Sequence, residues 1–506
     1  MVTDLASPAT VTESLAMHAA NAPEREAIIC GGRILTYGAL ARRVAGVAIA
    51  LAAAGVKAGD RVAVETKAPD DHVVGLLGAM AMGAIPVPVP ADAPMTTAAI
   101  VADADPTVLL TCSGPEMAEP VTMDLPVLSI PQVAPVDDLA ILRRRPAADD
   151  IAMLYYTSGT TSGIRKGVMQ GYLALYNTAR YITAAMQLDG SVREFVASPT
   201  DNAFWFGRVR VIFHNGGCAV LNEGALNPLR ILGALANYGC NSLSGDTPIF
   251  VMLLRHMEKR LADIGPRLRW AKVASQAMSV DDKRRLAELL PNARVVMNYG
   301  LTEAMRCCIL PFKDFPNKLH TVGQPCDTVE ARIVDPAGSV QPTDTVGEIQ
   351  VRGGNLASGY WRKDEMWRER TASGWYATGD LGSIDADGFV TIKGRKDEAI
   401  NVGGRTIAPS EVEQALKPQV TGGEFAVCGM PDPGGVLGDV LCLCIEGSWR
   451  ERMAWKEFRI HLFETIPPSL VPKEAFLVPE LPRTGNVKIQ RGKLRAALEA
   501  GQCTKL

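Results

Sequence analysis

Over the first two thirds of the chain, short apolar runs of β-type residues alternate with longer runs whose apolar positions recur at helical spacing. The segment Arg61–Thr66, RVAVET, predicts a strand, and His72–Met82 predicts the helix that follows it. Ala39–Ala54 and Asp281–Leu290 also predict helices, and the second of these ends directly before Pro291. The alternation predicts βαβ units and therefore sheets that are covered by helices.

The pattern changes in the last third of the chain. Between Gly347 and Lys393, strand-like runs are separated by turns, and Asp387-Gly388 between two alternating runs is a strong signal for a β-hairpin. Further on, Pro409 begins a helical stretch, because proline is tolerated in the first turn of a helix. We therefore predict a large domain over residues 1–393 and a smaller C-terminal domain over residues 394–506.

The bulk composition is that of a globular protein with more than one domain. The chain has 506 residues, of which 47% are hydrophobic and 21% are charged. Lys and Arg together number 52 against 55 for Asp and Glu, so the formal net charge is −3. Such a balance argues against a broad electrostatic surface for nucleic acid, and we expect no nucleic-acid partner.

Cysteine usage and the N-terminal sequence both bear on the compartment. The eleven cysteines form no CxxC motif, and pairs such as Cys307-Cys308 are interpreted as buried thiols in a reduced protein. The N-terminus has no basic segment followed by an apolar one, as a secretory signal would have. The apolar stretch Val73–Val89 is interrupted by glycine and proline and is too short for a membrane span. These features predict a soluble, cytoplasmic protein.

A loop rich in glycine and hydroxyl groups follows an apolar strand. In TSGTTSGIRKG (157–167), glycines allow successive amides to point into one concavity, and Lys166 adds a positive charge. The groups available to an anion come from Thr157, Ser158, Gly159, Thr160 and Thr161. They suit a polyphosphate, although the stretch alone fits a polar surface turn equally well. A Walker-type P-loop is disfavoured, because Gly167 stands where such loops have a Ser or Thr that reaches Mg²⁺.

Three further segments carry charged groups on loops. NYGLTE (298–303) ends in Glu303, which fits either a Mg²⁺ ligand beside phosphates or a solvated carboxylate at a strand end. WYATGD (375–380) ends in Asp380, which fits either a ribose contact or an Asx turn. PRTGNVKIQRGK (482–493) carries Lys488 on a loop that, taken alone, fits a solvated basic tail.

In this order and at these separations, the motifs resemble the adenylate-forming superfamily, which includes acyl-CoA synthetases, nonribosomal adenylation domains and luciferases. The resemblance extends from LTYGAL (35–40) through TVGQP (321–325) to the lysine loop, which is nearly the whole chain. It implies a mixed α/β fold. The expected parts are a large N-terminal domain of helix-covered β-sheets, a small β-barrel-like subdomain, and a small mobile α+β C-terminal domain.

The resemblance also implies a reaction in two halves. A carboxylate attacks the α-phosphate of ATP, which gives an acyl-adenylate and pyrophosphate, and a thiol then displaces AMP. Charge neutralisation should contribute most to the first half, because it joins two anions. The expected cofactors are ATP, Mg²⁺ and CoA, or in place of CoA the phosphopantetheine of a carrier protein.

Roles for individual residues follow from the same resemblance. It implies that residues Thr157 to Thr161 and Lys166 hold the β- and γ-phosphates, that Thr302 contacts the α-phosphate, and that Glu303 ligates Mg²⁺. It implies ribose contacts from Asp380 and Arg395. The remaining nucleotide contacts are expected from Gln276, Ala277, Asn298, Tyr299 and Gly300.

Two parts of the C-terminal domain are expected to serve different half-reactions. Lys488 matches the catalytic lysine that bridges the carboxylate and the ribose and phosphate oxygens during adenylation. The Gly403-Gly404 loop is expected to line the tunnel for the thiol. Rotation of the domain about a hinge at Asp397 would exchange the lysine for the glycine loop.

The resemblance places the acyl pocket at Asp201, Asn202, Phe204, Trp205, Ala274, Ser275 and Met305. Aromatic bulk, and side chains where relatives have glycine, predict a narrow pocket for a compact acid, either aryl or of short to medium chain length. The spacing of Asp201 and Trp205 also fits amino-acid activation, whereas an Asp in a loop is often a turn residue. Arg208 and Arg210 fit either a second carboxylate on the substrate or exposed positions beside strands.

Three functions are compatible with these motifs. The leading interpretation is an ATP-dependent carboxylic acid:CoA ligase, and the alternative is a stand-alone enzyme that loads an acid or amino acid onto a carrier protein. A non-catalytic nucleotide-binding regulator of the same fold is disfavoured, because a dead relative has no chemical need for the retained charged groups. These groups are Lys166, Glu303, Asp380, Arg395 and Lys488.

Three positions depart from the pattern of the superfamily. The phosphate loop is one residue longer than usual, with Arg165 in place of a proline. Val487 replaces the glycine before the catalytic lysine, and Asn401 stands where many relatives have a lysine. These changes leave open the backbone path of both loops and the charge near the thiol tunnel.

Overall fold

The computed structural model describes most of the chain and shows the predicted mixed α/β class. The described residues are 10–112, 125–147, 149–157, 166–224, 226–274, 276–403, 405–420, 423–434, 438–448, 454–483 and 489–506. Predicted site residues 158–161, Ser275, Gly404 and Lys488 lie outside these ranges. In the described part of the chain, no helix is both long and apolar enough to cross a bilayer.

The helices confirm the sequence predictions to within a few residues. They are α1 Val11–Asn21, α2 Tyr37–Ala53, α3 Pro69–Met82, α4 Pro94–Ala104, α5 Tyr172–Met186, α6 Ala203–His214, α7 Pro228–Asn237, α8 Thr247–His256, α9 Glu258–Ile264, α10 Val280–Leu289, α11 Asp364–Thr371, α12 Pro409–Leu416, α13 Trp455–Thr465 and α14 Arg491–Glu499. Helix α3 begins three residues before the predicted start, because Pro69 occupies its first turn with two acidic residues beside it.

The strands alternate with the helices as predicted, up to the strand-rich region of the last third. They are β1 Glu26–Cys30, β2 Arg33–Thr36, β3 Arg61–Glu65, β4 Ile85–Val89, β5 Val108–Thr111, β6 Val127–Ser129, β7 Ile151–Thr157, β8 Lys166–Gly171, β9 Arg193–Ala197, β10 Cys218–Leu221, β11 Ser242–Asp246, β12 Trp270–Ala274, β13 Arg294–Tyr299, β14 Cys308–Pro311, β15 Gln324–Pro325, β16 Val329–Val334, β17 Gly347–Gly353, β18 Gly359–Tyr360, β19 Tyr376–Ile384, β20 Val390–Arg395, β21 Ile400–Val402, β22 Arg405–Ile407, β23 Phe425–Pro431, β24 Asp439–Glu446, β25 Glu474–Val478 and β26 Thr504–Lys505.

The largest sheet determines where the predicted site residues meet. Its strand order is β15-β14-β13-β12-β11-β9-β10-β1-β2. The strands from β13 to β1 are parallel, and those beyond them pair antiparallel at the two edges. Parallel strands end at the same edge of a sheet, where ligands bind in open α/β folds. Residues that follow β9, β12 and β13 therefore come together at this edge.

Two smaller sheets lie beside it in the N-terminal part of the chain. One is parallel with the order β4-β3-β5-β6, and the other joins β18, β8 and β7 in antiparallel pairs. In the second of these, Thr157 pairs with Lys166, so the two ends of the predicted phosphate loop are neighbours. Tyr360 on β18 pairs with Val168 on β8, which brings the segment around residue 360 to the same place.

The strand-rich region forms the antiparallel sheet β16-β17-β19-β20. The predicted hairpin joins β19 to β20, with Gly388 in its turn at a φ of +82°, in the left-handed region that glycine tolerates best. Its amide N–H donates to the carbonyl of Asp385 over 2.9 Å. This hairpin was predicted from Asp387-Gly388 alone, and the structure confirms it.

The C-terminal part consists of the sheet β23-β24-β25-β26 with α12, α13 and α14 around it. Two apolar clusters of the described chain contain only residues from Ile400 onward, for example Val412 and Leu443 in one and Cys442 and Leu494 in the other. The boundary at 393/394 itself stays a prediction.

Candidate active site

Lys166 and Glu303 lie close together at the edge of the small antiparallel sheet. The Nζ atom of Lys166 lies 5.3 Å from the ring centroid of Tyr360, whose hydroxyl donates to Oε1 of Glu303 over 2.8 Å. Burial lowers the pKa of Lys166, as does the nearby Arg370, whereas the Glu303 carboxylate acts in the opposite direction. The predicted phosphate ligand, Lys166, and the predicted metal ligand, Glu303, thus both lie beside Tyr360.

The backbone around Thr302 and Glu303 is held in place by its neighbours. The side-chain amide of Gln170 donates to the carbonyl of Thr302, and the N–H of Ala357 donates to the carbonyl of Glu303 over 2.8 Å. Glu303 itself is half-buried, so it is more enclosed than a solvated carboxylate at a strand end. The described contacts leave its Oε2 atom available to a ligand.

Sequence reasoning missed two tyrosines that orient Glu303. The hydroxyls of Tyr360 and Tyr376 lie 3.1 Å apart, and Trp367 contacts both rings at 5.2 Å. Burial raises the pKa of Tyr360, and the Glu303 carboxylate raises it further, so its hydroxyl remains a proton donor at neutral pH. Tyr360 is 57 residues from Glu303 along the chain, and no local sequence signal connects them.

Asp380 is a buried carboxylate, 6% exposed, that joins two of the other predicted nucleotide ligands. The hydroxyl of Tyr299 donates to its Oδ2 over 2.6 Å, and Nη1 of Arg395 donates to its Oδ1 over 3.1 Å. Burial and the Asp380 carboxylate raise the pKa of Tyr299 well above its usual range. Each carboxylate oxygen has two lone pairs and can accept more than one hydrogen bond, as a ribose contact in addition to Tyr299 and Arg395 would require.

Thr378 stabilises the turn before Asp380. The amide N–H of Asp380 donates to Oγ1 of Thr378 over 3.0 Å, and Gly379 between them has a φ of +73°. A Cβ at Gly379 would lie 3.0 Å from Nη2 of Arg395, so glycine also lets the guanidinium approach. The carboxylate of Asp380 therefore points to Tyr299 and Arg395 while the Thr378 hydroxyl stabilises the turn.

The predicted adenine contacts lie after β12 and at the end of β13. The Thr247 hydroxyl donates to the carbonyl of Gln276 over 2.7 Å, and Ala277 is exposed beside it. The Oδ1 atom of Asn298 is buried and has no hydrogen-bond partner among the described residues. Buried carbonyl oxygens of this kind normally have a donor, so Asn298 is suited to accept from a bound ligand. Gly300 is exposed at the end of the strand.

The predicted acyl-pocket residues differ in how deeply they are buried. Trp205 is 1% exposed and its ring lies 5.6 Å from that of His72, so it is part of the apolar core. Phe204 is half-buried, whereas Ala274 and Met305 are buried. Asp201 is exposed. The narrow pocket and the role of Asp201 both stay predictions.

Asn202 begins helix α6. Its Oδ1 accepts from the N–H of Trp205 over 2.7 Å, and its Nδ2 donates to Ser198 Oγ over 2.8 Å. This is an N-cap, which satisfies an amide that the helix cannot pair internally. The structure therefore gives Asn202 a structural role in addition to any contact with the acid.

Replacing Asn202 with alanine should lower the free energy of unfolding by about 1 kcal/mol through loss of this cap. Chemical denaturation would measure it, with Asn227→Ala as the matched control. Asn227 caps α7 in the same way, with its Oδ1 accepting from the Arg230 N–H over 2.9 Å. Equal destabilisation with unchanged acid preference would mean that Asn202 only caps, and a changed preference would place it in the pocket.

The segment that connects the two parts of the chain carries several ion pairs. Arg395 donates to Asp397 over 3.2 Å, and Lys396 donates to Glu348 over 2.7 Å. Arg491 at the start of α14 donates to Glu398 over 2.9 Å. Gly403, with a φ of +58°, lies between β21 and β22. The hinge at Asp397 and the thiol tunnel at Gly403 stay predictions.

Comparison with known proteins identifies the family. The profile of the family "AMP-binding enzyme" matches residues 15–361. The chain belongs to this family. A feruloyl-CoA synthase from an Amycolatopsis species is 30% identical to this AMP-binding enzyme over 485 residues, which are 94% of this chain and 96% of the relative. A sulfoacetate–CoA ligase from Cupriavidus necator is 30% identical over 509 residues, covering 96% and 97% of the two chains.

A solved structure agrees with these relatives. ATP-bound MatB from Rhodopseudomonas palustris is 25% identical and superimposes with a TM-score of 0.86 over 97% of this chain and 99% of that one. The predicted superfamily and two-domain fold are thereby confirmed. So is the predicted class of enzyme, an AMP-forming acid–thiol ligase that activates a carboxylic acid with ATP and forms a thioester with CoA. These relatives do not favour the carrier-loading alternative.

Proposed function

We propose that this enzyme activates a compact carboxylic acid at the carboxyl edge of the large sheet and transfers it to CoA. The observation that carries the proposal is the network of Tyr299, Asp380 and Arg395 beside the pair of Lys166 and Glu303. It supplies a carboxylate for ribose hydroxyls and a cation for phosphates, which are the groups that ATP requires.

In the first half-reaction, this chain would bind and neutralise two anions. Lys166 would hold the β- and γ-phosphates, and the Thr302 hydroxyl would donate to the α-phosphate as charge develops there. Lys488 would bridge the attacking carboxylate and the α-phosphate. No protein nucleophile is needed, because the substrate carboxylate itself attacks phosphorus and pyrophosphate leaves.

Glu303 fits the requirements of a Mg²⁺ ligand. Mg²⁺ in nucleotide sites is typically held by one or two carboxylates together with substrate phosphates. Glu303 offers such a carboxylate, fixed through Oε1 by Tyr360 and located near Lys166. When bound, the ion would supply neutralisation of the triphosphate charge, while Tyr360 keeps the carboxylate oriented.

In the second half-reaction, the thiol of CoA would displace AMP from the acyl-adenylate. We propose that residues 394–506 rotate about Asp397 so that the Gly403-Gly404 loop replaces Lys488 beside the adenylate. A loop of two glycines allows close approach of a narrow pantetheine arm.

The acid is proposed to be small. We expect the half-buried Phe204 ring and the Ala274 methyl group to limit the size of the predicted pocket. The named relatives act on an aryl acid, ferulate, and on a two-carbon acid, sulfoacetate, and both classes fit a compact pocket.

The test is acid-dependent release of pyrophosphate from Mg-ATP across aryl, short, medium and long acids and several amino acids, each with and without CoA. We expect turnover with one compact acid that requires CoA, and the acyl-CoA product should be detected by mass spectrometry. Pyrophosphate exchange that ignores CoA would instead support carrier loading. No pyrophosphate release with any acid would contradict the proposal.

A further inference from the structure

Four basic side chains converge in the protein core beside the predicted acyl pocket. Lys272 on β12 and Arg208 on α6 are 0% exposed, Arg210 on the same helix is 4% exposed, and Arg306 after β13 is 5% exposed. The interpretation of the two α6 arginines as exposed residues beside strands is therefore wrong, because α6 is buried on several faces.

One carboxylate balances only part of this charge. Glu194 on β9 accepts from Nε of Arg208 over 2.8 Å, from its Nη2 over 2.6 Å, and from the Ser242 hydroxyl over 2.6 Å. Glu194 is thereby engaged with Arg208. Within the described ranges, Glu194 is also the only carboxylate that raises the pKa of Lys272, and no carboxylate raises the pKa of Arg306.

Several donors of the cluster point into the core without an acceptor. Among the described residues, no hydrogen-bond partner exists for Nζ of Lys272, Nη2 of Arg306 or Nε of Arg210. Nη1 of Arg210 does donate to the carbonyl of Leu175 over 2.9 Å, so this arginine is partly committed elsewhere. Buried charged donors without partners are rare, because the loss of hydration is then not compensated. The two least committed head groups belong to Lys272 and Arg306.

The electrostatics of these groups reflect the excess of positive charge. Burial lowers the pKa of Lys272 well below its ordinary value, with Arg306 and Arg208 adding to the effect. Burial likewise lowers the pKa of Arg306 to about 9, and the nearby Arg210 contributes. An anion placed among them would relieve both the lost hydration and the mutual repulsion.

The backbone makes specific room for the Arg306 head group. A Cβ added to Gly207 of α6 would overlap the guanidinium of Arg306, so the absence of a side chain there allows it to sit against the helix. Arg306 also has a φ of +51°, a left-handed conformation that costs a non-glycine residue free energy. The surrounding structure therefore holds Arg306 in this conformation, with its guanidinium against Gly207.

This cradle adjoins the residues that are expected to hold the acyl group. Arg306 comes three residues after Glu303 and directly after Met305. The Nη1 atom of Arg306 donates to Sδ of Met305 over 3.4 Å. Lys272 comes two residues before Ala274, and its Nζ lies 4.9 Å from the ring centroid of Phe204. The unpartnered donors thus lie behind three members of the predicted pocket.

We propose that the acid carries a second anionic group, a carboxylate or a sulfonate, which Arg306 and Lys272 bind while the first carboxylate is adenylated. This deepens the proposed function and rests on it for the placement of the first carboxylate. The planar fork of Arg306 would donate to two oxygens of the second group, and Lys272 would donate to the same group from β12. Arg306 and Lys272 are then the residues that determine specificity.

The kinetic test compares each dianionic acid with a monoanionic partner of similar shape. Succinate is paired with monomethyl succinate, and sulfoacetate with methylsulfonylacetate, in the pyrophosphate assay with CoA. We expect wild-type kcat/KM to favour the dianionic member of at least one pair by at least about 100-fold, and Arg306→Met to abolish that preference. Arg284→Met, which removes an exposed arginine on α10, is the matched control and should keep the preference.

Two outcomes of this assay would overturn the inference. One is a wild-type enzyme that uses both members of each pair equally, and the other is an Arg306→Met variant that retains the wild-type preference. A methionine is used because an apolar replacement of a buried cation does not leave a new unpaired charge. Lys272→Met provides a second variant, for which we expect a smaller loss of the same preference.

Calorimetric titration with succinate and sulfoacetate, without ATP, separates this inference from the proposed function. Binding to wild type that weakens at least about 30-fold in Arg306→Met would support the anion site even if no pyrophosphate were released. Absence of binding by both acids, or equal binding to the two proteins, would overturn it. Pyrophosphate release with monoanionic acids only would uphold the proposed function while removing the second anion from it.

Discussion

Replacing Lys488 with alanine should lower acid-dependent pyrophosphate release by at least about 1000-fold. The step joins a carboxylate to a phosphate, and the ammonium group that bridges them is expected to stabilise the transition state more than either reactant. Lys488 lies outside the described residues, so the prediction rests on its place in PRTGNVKIQRGK. Acid-dependent exchange of labelled pyrophosphate into ATP would measure the loss directly.

The second half-reaction distinguishes this role from a general loss of structure. Thioester formation from supplied acyl-adenylate and CoA should remain within about threefold of wild type, because Lys488 is expected to have left the site by then. Lys493→Ala is the matched control, since Lys493 is an exposed lysine on α14 five residues further on. Equal loss of both half-reactions in Lys488→Ala would contradict the assignment.

The part of the fold that could be predicted from the sequence is the part with a local signal. The strand at Arg61–Glu65, the helix that ends before Pro291 and the hairpin at Asp387-Gly388 each depend on a few adjacent residues. The meeting of loops after β12 and β13 follows from parallel strands sharing one edge. That these distant motifs form one site was implied by their resemblance to the adenylate-forming superfamily rather than by a local pattern.

What the sequence did not predict depends on contacts between distant elements. The bond from Tyr360 to Glu303 exists because β18 pairs with β8, and no local pattern predicts that pairing. Lys272 has the appearance of an outward-facing residue in the run WAKVA. It is buried because β12 is a central parallel strand, and both faces of such strands are covered.

The buried arginines of α6 show the same limitation. In AFWFGRVRVIFH, the two arginines were expected to be exposed, because arginine is mostly exposed in folded proteins unless it is paired. The structure buries both of them and pairs Arg208 with Glu194 on β9, 14 residues away along the chain. Only the tertiary structure reveals that no carboxylate of the described residues forms an ion pair with Arg210, Lys272 or Arg306, which is the basis for the proposed second anion on the substrate.

Replacing Glu303 with glutamine should lower kcat/KM for ATP by about 100-fold and raise the Mg²⁺ concentration needed for half-maximal activity. The amide keeps the size of the side chain and an oxygen that can still accept from Tyr360. What it removes is the negative charge that a hard divalent cation requires. Initial rates over an ATP series at fixed Mg²⁺, and over a Mg²⁺ series at fixed ATP, would give the two quantities.

Tyr360→Phe is the control for this prediction, because it removes the hydroxyl that fixes Oε1 and leaves the carboxylate in place. Outer residues that orient a metal ligand typically contribute less than the ligand itself, so we expect a loss of about 10-fold with a small change in Mg²⁺ dependence. A Glu303→Gln enzyme with unaltered Mg²⁺ dependence would exclude metal ligation. Glu303 would then act by holding Tyr360 beside Lys166, and the two substitutions should cause losses of similar size.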